Sequence, residues 1–423
     1  MSTGSLPRSL RVAVTGIGAV TPVGTGREAV WNALLAGVRG TGPVRSFDTA
    51  AYPVDRGAEV HDFRPEDHVR TLDPAEIGRA SQLAVAAARM ALSDAGLAED
   101  GLPEPERCGV TMGTTSGEPR EVEALDDAYV AGALDGAGAR FIERYPCHVI
   151  AVNVAAELGF AGFNAMIPTA CAAGNYAIAR ALDVLRSGRA DLMLAGGADC
   201  FSRITYSGFA RLGAIAPDLC RPFDRNRKGM IPGEGAAVLA LEPLERAEAR
   251  GATVYAEVAG YGLSCDAHHM TAADPEGAGG ARAMEKALAA SGLEPEEISY
   301  ISAHGTGTPT NDRQETLAMK RVFGEAAHRV PVSSIKSMIG HTMGAASAIE
   351  AAVCALAIHT GRIPPTMNLD DPDPECDLDF VADGARELPV HAAMNNAYAF
   401  GGNNASVVFT RPGAGDRPAG RGA

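Results

Sequence analysis

The chain holds a single tryptophan, Trp31, and only 5% aromatic residues against 46% apolar residues overall, so its core must be built from Ala, Val, Leu and Ile rather than from stacked rings. Its eight cysteines, at 108, 147, 171, 200, 220, 265, 354 and 376, include no C-x-x-C pair, which speaks against a disulfide framework and a thiolate metal centre. Basic residues are short as well: 37 Lys+Arg against 52 Asp+Glu leave a net charge of −15. That is the wrong sign for a general nucleic-acid or anionic-membrane surface. No uninterrupted apolar run approaches the roughly 18 residues of a membrane span; the longest candidate, residues 345–358, is broken by Glu350. The start, MSTGSLPRSLRV, lacks the apolar stretch of a signal peptide, and a cytoplasmic protein is expected.

What is present is 423 residues, enough for two fused halves or one large layered domain. A strand is expected over residues 10–15, running into GIGAVTPVG. Gly16 and Gly18 resemble the start of a dinucleotide fingerprint, but Thr21 stands where the third glycine should be and Pro22 follows, so a turn is expected and no nucleotide cofactor. Residues 74–97 carry helical spacing. Residues 117–145 are more charged and less periodic, which suits an insertion or a partner-contacting excursion. Two stretches repeat one plan: Cys171 with Gly174 three residues on, then a small-residue helix, and His341 with Gly344 three residues on, then another. His341 follows Cys171 by 170 residues, about what a duplicated half would give. Strands and helices alternate, so parallel sheets covered by helices are expected, with the two Ala-rich helices buried between two sheets: a layered α/β architecture. The tail, residues 412–423, is Gly/Pro/Arg-rich and expected to be disordered.

Cys171 follows a strand and opens a helix, where unpaired backbone N–H groups favour a thiolate and can hold an oxyanion. His304, in SAHGTGTPTND, ends the strand over residues 298–301, and His341 stands at the second helix start, where the positive dipole end favours neutral imidazole. Lys336 lies five residues before it. Glu350 interrupts an apolar helix and, if buried, needs a cationic or hydrogen-bonding partner. A thiol nucleophile with two imidazoles suits covalent capture of a thioester-borne acyl group followed by stabilisation of an enolate oxygen. Metal binding competes for the same residue types, but adjacent His268 and His269 have no zinc spacing, and no metal is expected.

Over essentially its whole length the sequence resembles the elongating, decarboxylating β-ketoacyl-acyl carrier protein synthases of the thiolase superfamily. PTACAAG at Cys171, AHGTGTPTND at His304, SIKSMIGHTMGAA with Lys336 and His341, RPFDRNRKGMIPGEGAA at 221–237 and AFGGNN at Phe400 carry the resemblance. It implies a five-layered α/β/α/β/α fold with two pseudo-symmetric halves, 1–255 and 256–411. It implies too that Cys171 takes an acyl chain from an acyl carrier protein, with the amides of Cys171 and Phe400 as oxyanion hole. His304 and His341 then stabilise the enolate left when a malonyl extender loses CO2. Lys336 orients the His304 region and Glu350 supports it. Phe400 with Gly401 and Gly402, and the loop 264–271 with Asp266, gate access, and Thr306 and Thr308 line the substrate pocket. A dimer is implied, with a second copy or with a ketosynthase-like chain-length factor.

Two departures stand out. Where such enzymes usually read Ser-Phe-Gly-Phe-Gly-Gly, this chain reads Ala397-Tyr398-Ala399-Phe400-Gly401-Gly402. Ser116 falls where a bulky aliphatic often restricts the acyl pocket from across the dimer, which points to a specialised type II polyketide or unusual fatty-acid system. Housekeeping elongation is the alternative. A silent chain-length factor would lack the nucleophile. A degradative thiolase would need a second cysteine within 393–406, and none is there. An initiating synthase resembles a Cys/His/Asn site. Since the carrier is typically acidic, docking needs a local basic cluster, for which Arg203 and Arg211 are candidates.

Overall fold

The computed structural model describes residues 10–97, 101–134 and 136–414. Ten principal strands carry the architecture: β1 (Val12–Thr21), β2 (Cys108–Gly113), β3 (Asn164–Ile167), β4 (Leu192–Asp199) and β5 (Gly235–Pro243), then β6 (Ala256–Cys265), β7 (Tyr300–Ser302), β8 (Val332–Ser333), β9 (Ala392–Tyr398) and β10 (Asn403–Thr410). They form one path, β8-β7-β9-β10-β6-β1-β5-β4-β2-β3. Counted outward from the centre, each half runs first, fifth, fourth, second, third strand. The halves meet where β1 and β6 pair through Ala13–Glu257 and Val14–Ala256. The duplication is therefore one of sheet topology.

The sheets are mixed, not parallel as expected. Strand β2 is parallel to β3 and β4, and β7 to β8 and β9, while the other neighbours are antiparallel. The reason is local in the second half: only four residues join β9 to β10, too few for the crossover a parallel pair requires.

Six helices complete the layers: α1 (Arg79–Asp94), α2 (Val149–Leu158), α3 (Ala173–Arg186), α4 (Ala278–Ser291), α5 (Pro309–Phe323) and α6 (Ala346–Thr360). Helix α1 packs on β1, β5 and β4, with α2 beside it; α4 packs on β6 and β10, with α5 beside it; α3 and α6 touch strands of both halves and each other. That gives the five layers. The segment Met343–Thr360 is apolar and long enough to cross a membrane by composition, yet it is buried between the sheets. Small residues let the central helices meet: a Cβ at Gly174 would lie 2.5 Å from the Ala348 nitrogen. Asn175, Asn395 and Ser347 bond to one another across that contact, which leaves only the Asn395 side-chain oxygen there without a partner.

The turn expected in GIGAVTPVG comes only at its end, where Pro22 and Val23 join Thr21 to Gly24. Gly16 and Gly18 lie inside β1, and a Cβ on either would overlap the backbone of α1 at Ala91 or Ala87. The second half repeats the device, with Gly260 and Gly262 of β6 against α4. Glycine serves strand–helix approach here, not phosphate binding. Residues 117–145 hold two helices, Pro119–Val130 and Ala137–Arg144, which expose Tyr129, Val130 and Ile142. The tail begins in order, as Gly413 N–H donates to Glu257 (2.9 Å); residues 415–423 lie outside the described residues.

Candidate active site

The chain reaches Cys171 abruptly. β3 ends at Ile167, Pro168 and Thr169 follow, Ala170 turns at φ +51°, and the one-turn helix Ala170–Ala172 opens α3. The second half makes the same turn at Met343 (φ +55°), with the one-turn helix Met343–Ala345 opening α6. Residues 334–342, nine in place of two, separate that turn from β8. Ala346 therefore follows Ala173 by 173 residues, so Cys171 and His341 are not counterparts as their 170-residue spacing suggested. Gly344 stands in the place of Cys171. Both Lys336 and His341 belong to the longer connection.

That excursion brings the three expected reactive groups together. Ligating atoms of Cys171, His304 and His341 lie within 4.8 Å of one another, and all three residues are buried. The two imidazole rings sit 5.4 Å apart, nearly perpendicular at 83°. His341 Nδ1 accepts from the Met343 amide (3.2 Å), which leaves the proton of the neutral ring on Nε2 as a donor. His304 has its backbone fixed instead: its amide and that of Gly305 donate to Glu315 (2.8 Å each), and its carbonyl accepts from Lys336 Nζ (2.6 Å). Lys336 is no surface lysine. It is fully buried and paired with Glu350, the partner that a carboxylate in α6 requires.

The expected thiolate is not found. Burial pushes the Cys171 thiol up to about 12, against the opposing influence of the Lys336 cation; desolvation outweighs the favourable helix start. Burial also drives His304 and His341 well below the ordinary histidine range, helped by Lys336. The resting site is thus a neutral thiol beside two neutral imidazoles. A second carboxylate clamp, Asp199, accepts from the amides of Thr115, Ser116 and Gly344 and from the Thr114 hydroxyl.

These groups open onto a cavity of about 180 Å³ that Asp266, Thr306, Thr308, Phe400 and Gly402 also line. Phe400 is 43% exposed and lies 6.1 Å from the ring of Phe209. Gly401 (φ +83°) supplies the left-handed turn behind it and donates to the Met270 carbonyl (2.8 Å), while Asp266 N–H donates to the Gly402 carbonyl (2.9 Å). The two expected gate segments are thereby hydrogen-bonded to each other. Ser116 does not line the cavity of this chain: its amide is held by Asp199 and its hydroxyl lies 3.5 Å from that of Thr205. Gly401 stands behind the wall. Sequence reasoning missed Met230, Gln314 and Asn404, which line the cavity, gave Tyr398 no role beyond its place in the departing gate segment, though it lines the cavity too, and missed the clamps Glu315 and Asp199. The acidic residue within TND-x-x-E, eleven residues after His304, was the available signal for Glu315.

A buried thiol and two imidazoles on a duplicated five-layered α/β scaffold define a condensing acyltransferase of thiolase-like fold. Residues 9–247 match the model of the β-ketoacyl synthase N-terminal domain and residues 255–370 that of the C-terminal domain, and the chain belongs to the β-ketoacyl synthase family. It is 38% identical over 412 residues to 3-oxoacyl-[acyl-carrier-protein] synthase 2 of Staphylococcus aureus, covering 96% of this chain and 99% of that one. Among solved structures it is similar to a chain of the ishigamide ketosynthase/chain length factor (TM-score 0.91, 45% identity, 95% and 99% covered). It is similar also to a type II PKS acyl-carrier protein in complex with its ketosynthase bound to the hexaketide (TM-score 0.88, 32% identity, 95% and 99% covered).

Proposed function

We propose that this protein joins a cysteine-bound acyl chain to a malonyl unit on an acyl carrier protein, giving 3-ketoacyl carrier and CO2. The observation that carries the reading is the buried cluster of one thiol and two imidazoles, their ligating atoms within 4.8 Å of one another. Cys171 Sγ attacks the acyl thioester carbonyl while its proton leaves through a neighbouring imidazole, and the carrier thiol departs. This coupling suits a thiol whose own acidity is too weak for a standing thiolate. On the malonyl thioester, N–H donors of His304 and His341 then hold the developing enolate oxygen as CO2 leaves. The carbanion attacks the acyl-cysteine carbonyl and expels the thiolate, which takes up one proton. Neutral donors suit an enolate, since they stabilise the charge without protonating it beforehand.

The placing is a specialised type II polyketide or unusual fatty-acid pathway in the cytoplasm, with a ketosynthase-like partner or a second copy completing the pocket near Ser116. The 45% identity to the ishigamide ketosynthase/chain length factor chain, against 38% to the staphylococcal synthase, supports that branch. Carrier docking falls to the helix Arg203–Arg211, whose Phe209 lines the cavity. Arg211 is exposed there, while Arg203 is partly neutralised by Asp127 (2.7 Å). Mass spectrometry after incubation with acyl carrier should find the acyl group on Cys171, and Cys171→Ala should abolish both adduct and condensation. Condensation by Cys171→Ala would sink the reading.

A further inference from the structure

The two histidines are held differently. His341 is oriented by the Met343 amide on its Nδ1, whereas Nδ1 of His304 has no hydrogen-bond partner within the chain. The His304 imidazole is instead in T-shaped contact with two rings, that of His341 at 5.4 Å and 83° and that of Tyr398 at 5.8 Å and 71°. Whatever fixes Tyr398 therefore fixes one side of His304.

The ring of Tyr398 is confined from behind by Gly280, where an added Cβ would lie 2.9 Å from its Cε1. Its hydroxyl is another matter. Tyr398 and Gln314 are each only 8% exposed, and neither the phenol oxygen nor Gln314 Oε1 has a hydrogen-bond partner within the chain. Gln314 Nε2 donates to the Ala273 carbonyl (3.3 Å), which leaves the amide oxygen facing elsewhere. An unsatisfied buried oxygen costs roughly 1–3 kcal/mol. Both residues line the main cavity and also an adjoining chamber of about 20 Å³, with Asp266, Asn311 and Asn404 in its wall. The wall is mostly apolar, but a chamber of that size takes one water where about two to four polar groups reach it, and Tyr398, Gln314, Asp266, Asn311 and Asn404 are the residues that can supply them. Water can accept from the phenol O–H and donate to Gln314 Oε1, so one molecule within reach of both satisfies both orphaned oxygens.

We propose that Tyr398 is a positioning residue for His304, its phenol anchored through one water to the side-chain carbonyl of Gln314 in this chamber. The proposal rests on the reading that His304 stabilises the enolate. The tests are Tyr398→Phe, which keeps the ring and removes the hydroxyl, Gln314→Leu, which removes the acceptor, and the double variant. Each is assayed for malonyl-carrier decarboxylation and separately for acylation of Cys171. Each single change should lower the decarboxylation kcat about fivefold, the worth of one hydrogen bond, with KM and Cys171 acylation unchanged. Because one water serves both groups, the double variant should fall no further than either single one. Unchanged decarboxylation in Tyr398→Phe, a raised KM with kcat intact, or fully multiplicative losses would overturn the proposal. If Gln314→Leu does not fold, Tyr398→Phe alone decides. His304→Ala in the same assay separates the two levels: retained decarboxylation there sinks the enolate reading itself, whereas its loss alongside a fully active Tyr398→Phe sinks only the water-anchored Tyr398.

Discussion

The first half of the chain crosses from its third strand to its central helix through Pro168 and Thr169, while the second half spends residues 334–342 on the same journey. Strand order, one-turn helix and left-handed residue are alike on both sides. The chemistry differs by what the connection carries. The short one presents a nucleophile at the helix start; the long one folds Lys336 under His304 and turns His341 toward the thiol. Glu350, the partner of Lys336, sits in α6 at the position Ala177 holds in α3. Duplication supplies a rigid, symmetric frame, and one insertion with its single buried counter-charge makes the frame asymmetric enough for two different half-reactions.

Removing that asymmetry should give the largest effect. Lys336→Ala leaves Glu350 a buried carboxylate without its cation and deprives the His304 carbonyl of its donor. Breaking one side of a buried pair costs about 3–5 kcal/mol, and a steep loss of both Tm and condensing activity is expected. The double variant Lys336→Met/Glu350→Ala gives the second half the apolar character of the first at that place, and most of the stability should return. Activity should not, because His304 is still without its lysine. A double variant that condensed normally would reduce the pair to packing.

Much of this frame was legible in the sequence because its signals are local. Helical spacing, small residues after Cys171 and Gly344, and a carboxylate in an apolar run at Glu350 each follow from contacts within one element. What was not legible depends on distant partners. The alternation around Gly16 and Gly18 looked like a turn because nothing near them reveals α1 lying against that strand. The Cys171 helix start promised a thiolate because burial, the larger influence, comes from layers contributed by both halves. The 170-residue spacing misled because a glycine follows both Cys171 and His341 by three residues, yet Gly344 itself stands in the place of Cys171 and the seven additional residues lie before the turn.

The glycine pairs test whether the frame is symmetric in energy as well as shape. A methyl at Gly18 would run into the Ala87 carbonyl of α1, and one at Gly262 into the Ala283 carbonyl of α4. Each must push a helix from its sheet, and overpacking of this kind typically costs about 1–3 kcal/mol. Gly18→Ala and Gly262→Ala should therefore lower Tm by similar amounts, measured by thermal unfolding of the purified protein. A large drop for one and none for the other would show that one half carries the stability.

The smallest effect concerns the two carboxylate clamps. Thr115 lies two residues beyond β2, and its amide and the next are held by Asp199; His304 lies two residues beyond β7, and its amide and the next are held by Glu315. Burial raises both carboxyls, partly offset by those amides, Asp199 to about 6 and Glu315 to about 8. A carboxyl raised in this way keeps its proton in the folded chain after the unfolded chain has lost it. The folded state then binds more protons, so stability falls as pH rises, by at most about 1.4 kcal/mol per pH unit for each group. The interval closes near pH 6 for Asp199 and continues to about 8 for Glu315. Glu118 and Glu350, raised to about 7, fade through its upper part, so across pH 7–8 Glu315 is the largest contributor of the four. Glu315→Gln should flatten the decline of Tm across pH 7–8, and Asp199→Asn should leave that stretch of the profile as it is. An Asp199→Asn variant that flattened it, or a Glu315→Gln variant that did not, would show that the two clamps do not differ in the way their surroundings require.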